Sequence, residues 1–382
     1  MGWWFGRKSA PADARPFVPA WLTDSSQEEG FARSYEAQFE EVYRKNPVGQ
    51  RAVRLVAGML GSLTIDPSTG SGQAAVALIK SGLLEGIAAN LLLQGNSYVQ
   101  LIADDQDQPA ELWLLRPERV QVVCDDRGWP IAYLHRAGGQ LTRIERLDGL
   151  GRMQLAHIKA LHPRDDHYGM GSMDAAIGAA SVHNRAAKWN KSLLDQGARP
   201  SGALSYEPAD GSVLSADQFK RLKDELTTEF SGSDNAGRPM LLEGGLKWQA
   251  LSLTPADMDF VALKEGAARD IALAFGVPPV LVGLPGDATY ANAREAGRAL
   301  YRQTILPMAG RILGALAEML SGWLGPVTLT IDTDQISELA EDRAALWQAV
   351  GSASFLSAAE KRDMLGFPST GSGQASPTKV SK

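Results

Sequence analysis

Ser172-Met-Asp-Ala-Ala-Ile-Gly-Ala-Ala-Ser-Val-His-Asn-Arg-Ala-Ala-Lys-Trp-Asn-Lys-Ser-Leu-Leu-Asp-Gln196, followed by Gly197, reads as one long helix with a glycine stop. At about 1.5 Å per residue it spans roughly 37 Å. Alanines at 175, 176, 179, 180, 186 and 187 leave little bulk, so a neighbouring helix can approach closely. A second long helical stretch, Asp257 to Phe275, stops at Gly276 and Pro278-Pro279. Between them, residues 198–252 form a small module. Ser201 to Tyr206 predicts a strand, and Ser215 to Phe230 a helix with Ser215 as cap and Phe219, Leu222 and Leu226 on one face. Met240 to Leu242 with Lys247 to Leu253 predicts a hairpin. Two long helices joined by so small a module make an arm that cannot bury itself. Such an arm needs neighbours to cover it.

Upstream, residues 1–34 are rich in Pro, Gly, Ser and charge and predict a flexible arm. Asn46 caps and Pro47 opens a helix with Val53, Leu55, Val56, Met59 and Leu60 on its apolar face. One further helix is predicted over Gln73 to Leu93, ended by Gly95-Asn96, and Ser97 to Ile102 alternates as a strand does. Residues 111–160 predict short strands, at Glu111–Leu115, Val120–Val123, Pro130–His135 and Leu141–Ile144, and a loop covers 162–171. Downstream, a loop over Gly283 to Asp287 leads into a third long helix, about Asn292 to Leu320, in which Pro307 predicts a kink. A strand over Val327–Ile331 and two polar helices, 338–350 and 357–365, complete the fold. The segment Pro67-Ser-Thr-Gly-Ser-Gly-Gln-Ala74 recurs word for word at Pro368–Ala375, and both copies are expected to be flexible linkers.

At 382 residues, 44% of them hydrophobic and 21% charged, the chain is expected to fold into two or three domains. The net charge of −6 speaks against a protein that grips DNA by its phosphates. Cys124 is the sole cysteine, so no internal disulfide exists and a reducing compartment is expected. The aromatic, basic start and the apolar stretch Gly82–Gly95, interrupted by Glu85 and Asn90, match neither a signal peptide nor a membrane span. A soluble protein made in the cytoplasm is expected.

No phosphate-binding GxxxxGK[ST], GxSxG or GxGxxG motif occurs, and none of His135, His157, His162, His167 and His183 forms HExxH. His162-Pro-Arg164-Asp165-Asp166-His167 is the one cluster that could hold a metal or serve acid–base chemistry. It shares one proline-restricted loop with Arg164 at its centre, so a solvated polar loop is the expectation. Arg51, Arg54, Arg185, Lys188 and Lys191 are spaced as polar helix faces, available to solvent or to ion pairs between subunits. The tryptophans at 3, 4, 21, 113, 129, 189, 248, 323 and 347 are scattered, which predicts core or interface use and no base-stacking platform.

Asn46 to Leu63, Leu93-Gln-Gly-Asn-Ser-Tyr-Val99, Leu115-Arg-Pro-Glu-Arg-Val120, Gly169-Met-Gly-Ser-Met173 and Gln196 to Ala203 form a series of words in fixed order. Asn235 to Gly245, Ser252 to Phe260, Ala274-Phe-Gly-Val-Pro-Pro279 and Thr289-Tyr-Ala-Asn292, leading to Thr304-Ile-Leu-Pro307, extend it. Over about 46–367 the chain resembles the portal proteins of long-tailed phages and related gene transfer agents. The resemblance implies an α+β portal fold: a mixed wing, long stem helices, a small αβ clip and a helical crown, assembled as a dodecameric ring. It divides the chain into an arm (1–34), wing (35–170), stem helix (171–197), clip (198–254), second stem helix (255–278) and tunnel loop (279–292). A long kinked helix with wing return (293–335), a crown (336–367) and a tail (368–382) follow.

The implied role is that of a channel for double-stranded DNA at one capsid vertex of a virion or phage-like particle. The implied partners are further copies of the chain, the terminase large subunit, a head–tail adaptor and the major capsid protein, with no membrane, cofactor or catalysis. Leu284, Asp287, Thr289, Tyr290 and Asn292 then fall in or near the loop that narrows the channel. A neutral or acidic lining lets DNA slide where a basic one would hold it. Two other readings remain: a metal-dependent hydrolase using His162, Asp165, Asp166 and His167, and a scaffold component that never touches DNA.

Overall fold

The computed structural model describes residues 34–67, 70–195, 202–206, 246–250, 260–284 and 289–366, with isolated positions between 215 and 224. The first helices are α1 (Tyr35–Phe39), continued by a π-helical turn over Glu40–Arg44, and α2 (Pro47–Gly61). Asn46 caps α2 as its sequence predicts, its Oδ1 accepting the backbone N–H groups of Val48 and Gly49, both at 3.0 Å. Val53, Val56 and Leu60 of α2 are buried.

The single helix expected over 73–93 is two, α3 (Gly70–Leu78) and α4 (Ser81–Gln94), set 69° apart. The break falls at Ile79-Lys80, where Lys80 is extended. Turning there buries Ile79 while Lys80 reaches out to Glu111 at 3.1 Å. The first copy of the repeated octapeptide is no linker. Its Pro67 ends strand β1 (Ile65–Pro67), its last residues form the start of α3, and Ser71 Oγ donates to the Pro326 carbonyl at 2.5 Å. The second copy lies outside the described residues.

Eight of the described strands are joined antiparallel in three small sheets. β2 (Asn96–Ala103) is central between β3 (Pro109–Leu115) and β7 (Leu155–Lys159). A second sheet runs β4 (Val120–Cys124), β5 (Pro130–Ala137), β6 (Gln140–Glu145). The remaining two, β1 and β10 (Leu329–Ile331), pair with each other, matching Ile65 to Ile331 and tying the two ends of the fold together. β7 is a strand that no turn signal announces; its Leu155, Ala156 and Ile158 are buried.

Helix α5 (Ser172–Asp195) and helix α6 (Phe260–Ala274) are the long pair. In the module between them, β8 (Gly202–Tyr206) pairs with β9 (Leu246–Ala250), from Gly202↔Ala250 to Tyr206↔Leu246. The partner of the 247–253 strand is thus the 201–206 strand, about forty residues back. Met240–Leu242, Gly197 and most of the 215–230 helix lie outside the described residues. Ser215 does cap as expected: its Oγ accepts from the Gln218 N–H while its own N–H donates to Gln218 Oε1.

The third long helix is α7 (Tyr290–Leu300) and α8 (Leu306–Leu324), joined by a π-helical turn over Tyr301–Ile305. Pro307 lacks an N–H for the preceding turn, and the widened π turn absorbs this, so 290–324 continues as one helix. It is long and apolar enough to cross a membrane by composition, yet its apolar side is spent inside the protein. Leu300 and Ile305 pack with α2, α5 and α6, whereas Ile312, Leu316 and Leu320 pack with α3 and α4. Two polar helices end the fold, α9 (Ala340–Ser352) and α10 (Ala358–Met364), the latter with a reciprocal Ser357–Glu360 cap.

Candidate functional site

α5 and α6 pack through small side chains. Ala176, Ala180 and Ala186 of α5, and Ala267, Ala268 and Ala272 of α6, are all buried, as the alanine-rich sequence predicts. Met173, Ala176 and Ala180 share a hydrophobic cluster with Ile271 and Phe275, and the Lys264 charge acts on His183. The helices therefore run antiparallel. A polar node locks the middle of α5 to the start of α2. Asn46 Nδ2 donates to Asn184 Oδ1 at 3.0 Å and lies 3.3 Å from His183 Nδ1, while Asn184 Nδ2 donates to the Glu41 carbonyl at 2.8 Å. Burial first, and the Lys264 charge second, hold the His183 imidazole below its ordinary range.

The loop after α6 is anchored at its base. Gly276 takes a left-handed φ of 66°, and its carbonyl accepts from Thr304 Oγ1 at 2.9 Å. Phe275 and Val277 are buried beside it, and Pro279–Val282 forms a single 3-10 turn ended by Gly283 at φ 82°. Of the five loop residues singled out, Leu284 is half-buried, Thr289 caps α7 by accepting from the Asn292 N–H, and Asp287 lies outside the described residues. Tyr290 is 83% exposed. Tyr290 and Asn292 belong to the first turn of α7 and not to the loop itself. Two positions apart on a helix, they point about 200° apart, so they do not share one surface.

The 162–167 cluster does not converge on a ligand. His162 Nδ1 accepts from the Arg164 N–H, and Asp165 Oδ1 accepts the N–H groups of His167 at 2.7 Å and Tyr168 at 3.0 Å. Lys159 Nζ donates to the Asp166 carbonyl, and the His167 ring lies 3.7 Å from Cys124 Sγ. These are bonds that shape a loop. Among the described residues no three His, Cys, Asp or Glu side chains are grouped to hold a metal. Arg51, Arg54, Arg185, Lys188 and Lys191 are all exposed on helix faces.

The sequence reading missed two constellations. One is Asn96 with His157, which ties the start of β2 to Gly169. The other is the row Arg294, Arg298 and Arg302 on the long helix, meeting Glu341 and Asp342 of α9. The four-residue spacing of those arginines is visible in the chain; their acceptors, some forty residues on, are not.

Beside the alanine-lined contact of α5 and α6, Val182, Trp189, Val261, Leu263 and Leu273 are exposed among the described residues. The family model described as phage portal protein matches residues 47–366, and the chain belongs to that family of structural assembly components. A chain in the neck of a native gene transfer agent particle, computed with C12 symmetry, is 42% identical. It covers 92% of this chain and 98% of its own length with a TM-score of 0.69. A chain of the native gene transfer agent virion is 44% identical, with a TM-score of 0.68 over 89% of this chain and 95% of that one. An uncharacterized protein of Rickettsia bellii (strain RML369-C) is 38% identical over 349 residues, 86% of this chain and 88% of its own. The family and the α+β fold expected from the sequence words are borne out.

Proposed function

We propose that copies of this chain close into a dodecameric ring at the portal vertex of a phage-like particle and form the channel through which double-stranded DNA enters and leaves. The observation that carries this reading is the likeness to a chain of the twelve-fold neck of a gene transfer agent particle, which extends over 98% of that chain. In this reading α5 and α6 are the stem, the 198–254 module is the clip, 35–170 with the β10 return is the wing, and 336–367 is the crown. The terminase large subunit and a head–tail adaptor dock on the ring from outside the shell, and the major capsid protein surrounds it.

The loop at 279–292 narrows the channel, with Leu284, Asp287 and Thr289 in the loop and Tyr290 and Asn292 at its exit. Tyr290 is the strongest candidate of the five to meet DNA, because it is the most exposed of them among the described residues. The protein acts by position and not by catalysis; the hydrolase reading loses support because the 162–167 side chains are engaged in shaping their own loop. Native mass spectrometry with negative-stain imaging tests the proposal. The expected result is a ring of about a dozen copies around a hole wide enough for duplex DNA. A protein that stays monomeric or dimeric at every concentration would overturn it.

A further inference from the structure

A cleft of about 200 Å³ opens between the second sheet, the approach to β7, and α8. The sheet side contributes Trp129, Pro130, Tyr133 and Arg146, while Met153 precedes β7 and Glu318 stands on α8. These walls are tied together. Trp323 Nε1 of α8 donates to the Met153 carbonyl at 2.9 Å, and the Arg152 guanidinium lies 3.8 Å from the Trp323 ring centre while it bonds Asp148 at 2.7 Å. Trp129 is 36% exposed, Arg146 is half-buried and Glu318 is exposed. Among the described residues neither Arg146 nor Glu318 forms an ion pair, whereas Lys159 at the β7 end donates to the Asp166 carbonyl. Small organic ligands fill about 300 Å³ or more, so this volume suits a few side chains of a docked segment.

Proline segments suit an aromatic wall of this kind. In polyproline II form every third residue falls on one edge, about 9 Å apart, and the preset backbone loses little entropy on docking. Pro16 and Pro19 are the only two prolines three residues apart in the chain, and Asp13 falls on the same edge. With Arg15 on the next edge, Asp13-Ala-Arg-Pro-Phe-Val-Pro19 sets a carboxylate and a guanidinium beside a pair of prolines. The other terminal segment, 367–382, has no such pair and no Asp or Glu. Reach is sufficient. The described chain begins at Ser34, and the Glu118 charge acts on Tyr35, which places that start near the foot of β4. The β4–β5 ladder runs from Val120↔His135 to Cys124↔Pro130, about 17 Å, and the cleft lies at the Pro130 end. The 15 residues from Pro19 to Ser34 span up to about 50 Å.

We infer that this cleft is the seat of the chain's own segment 13–19, docked in polyproline II form. Pro16 and Pro19 lie against Trp129 and Pro130, above Tyr133 and Met153. Asp13 meets Arg146, and Arg15 meets Glu318. Each of the two cleft charges thereby gains the ion pair it lacks among the described residues, and the segment straps the second sheet to α8. The inference is independent of the ring reading, because both sides of the contact belong to one chain.

The test uses the full chain with Phe17 replaced by its photoreactive benzophenone analogue, which keeps an aromatic side chain there. Irradiation and peptide mass mapping should join position 17 to residues 128–133 or 146–157 within a single chain. Glu318→Arg, at an exposed position, should cut that yield roughly fivefold, the weight of one exposed ion pair. Adding Arg15→Glu to Glu318→Arg should restore the yield. A yield that Glu318→Arg leaves unchanged, or that the double swap leaves low, would overturn the pairing of Arg15 with Glu318. Links that join two chains would seat another copy's segment in the cleft and overturn the assignment to the chain's own. Links confined to other regions, or no links, would overturn the docking outright.

Discussion

His157 stacks on Tyr98 at 4.3 Å between ring centres, meets Tyr133 edge-on at 5.9 Å, and donates from Nε2 to Asn96 Oδ1 at 3.0 Å. Burial, reinforced by the charges of Lys159 and His167, pushes its pKa down from 6.5 to about 3. In the unfolded chain the imidazole gains a proton as pH falls through 6.5; in the folded chain it does not until about 3. Stability is therefore fully present above pH 6.5 and drains away between 6.5 and 3, by at most about 1.4 kcal/mol per pH unit. Urea unfolding at pH 7, 6, 5 and 4 should show this decline in the native protein and a flatter one in His157→Gln. Equal slopes in the two would mean that His157 is not the group responsible.

The same node explains two of the words read in the chain. Gly95 has a φ of 75°, and a Cβ there would lie 2.4 Å from the Met170 carbonyl carbon; one on Gly169 would lie 2.1 Å from the Gly95 carbonyl oxygen. The 93–99 and 169–173 segments are thus two halves of one joint, fixing the start of α5. Their glycines were legible as recurrent letters, but the contact that demands them spans some seventy residues.

At the scale of elements, boundaries set by local chemistry were legible and those set by distant partners were not. Asn46, Gly95, Ser215 and Ser357 cap helices with their own atoms, so the sequence marks the ends. The 73–93 region is apolar all round and its break contains neither Gly nor Pro, so periodicity could not show two helices. β8 and β9 pair across the module, which no local pattern records. The attachment of α9 belongs to this second kind. Arg294 meets Glu341 at 2.7 Å, while Arg298 bonds both Glu295 and Glu341, and Arg302 bonds Asp342. Apart from Val350 within it and Ile336 and Leu339 just before it, the helix has little buried apolar surface, and Leu346 and Trp347 are about half exposed. The row of arginines is therefore its main hold on α7. Replacing Arg298, the most buried of the three, with Met should speed hydrogen–deuterium exchange across 340–352 and leave 172–195 unchanged. High salt should do the same to the native protein, since exposed ion pairs are screened. Unaltered exchange in Arg298→Met would place the hold in the apolar contacts of Ile336 and Leu339 instead.

Over the whole molecule, the cores and the outer faces make separate demands. Three buried clusters join the strands, α2 to α4 and the long helix, so one copy has what it needs to fold. The arm of α5 and α6, foreseen as unable to bury itself, keeps Leu273 and its neighbours exposed in that one copy. Such a molecule should gain stability from its own concentration, because association favours only the folded form. Each tenfold rise in concentration adds at most about 1.4 kcal/mol per subunit once rings form. Calorimetry over a hundredfold range should then give a Tm that climbs with concentration for the native chain. Leu273→Asp places a charge at a position that is 76% exposed among the described residues but must lose its water where copies meet. Its Tm should match the native value at the lowest concentration and stay flat as concentration rises. A lower Tm for the variant in dilute solution would mean that Leu273 supports its own fold, and the outer face would then lose its standing as the surface on which copies meet.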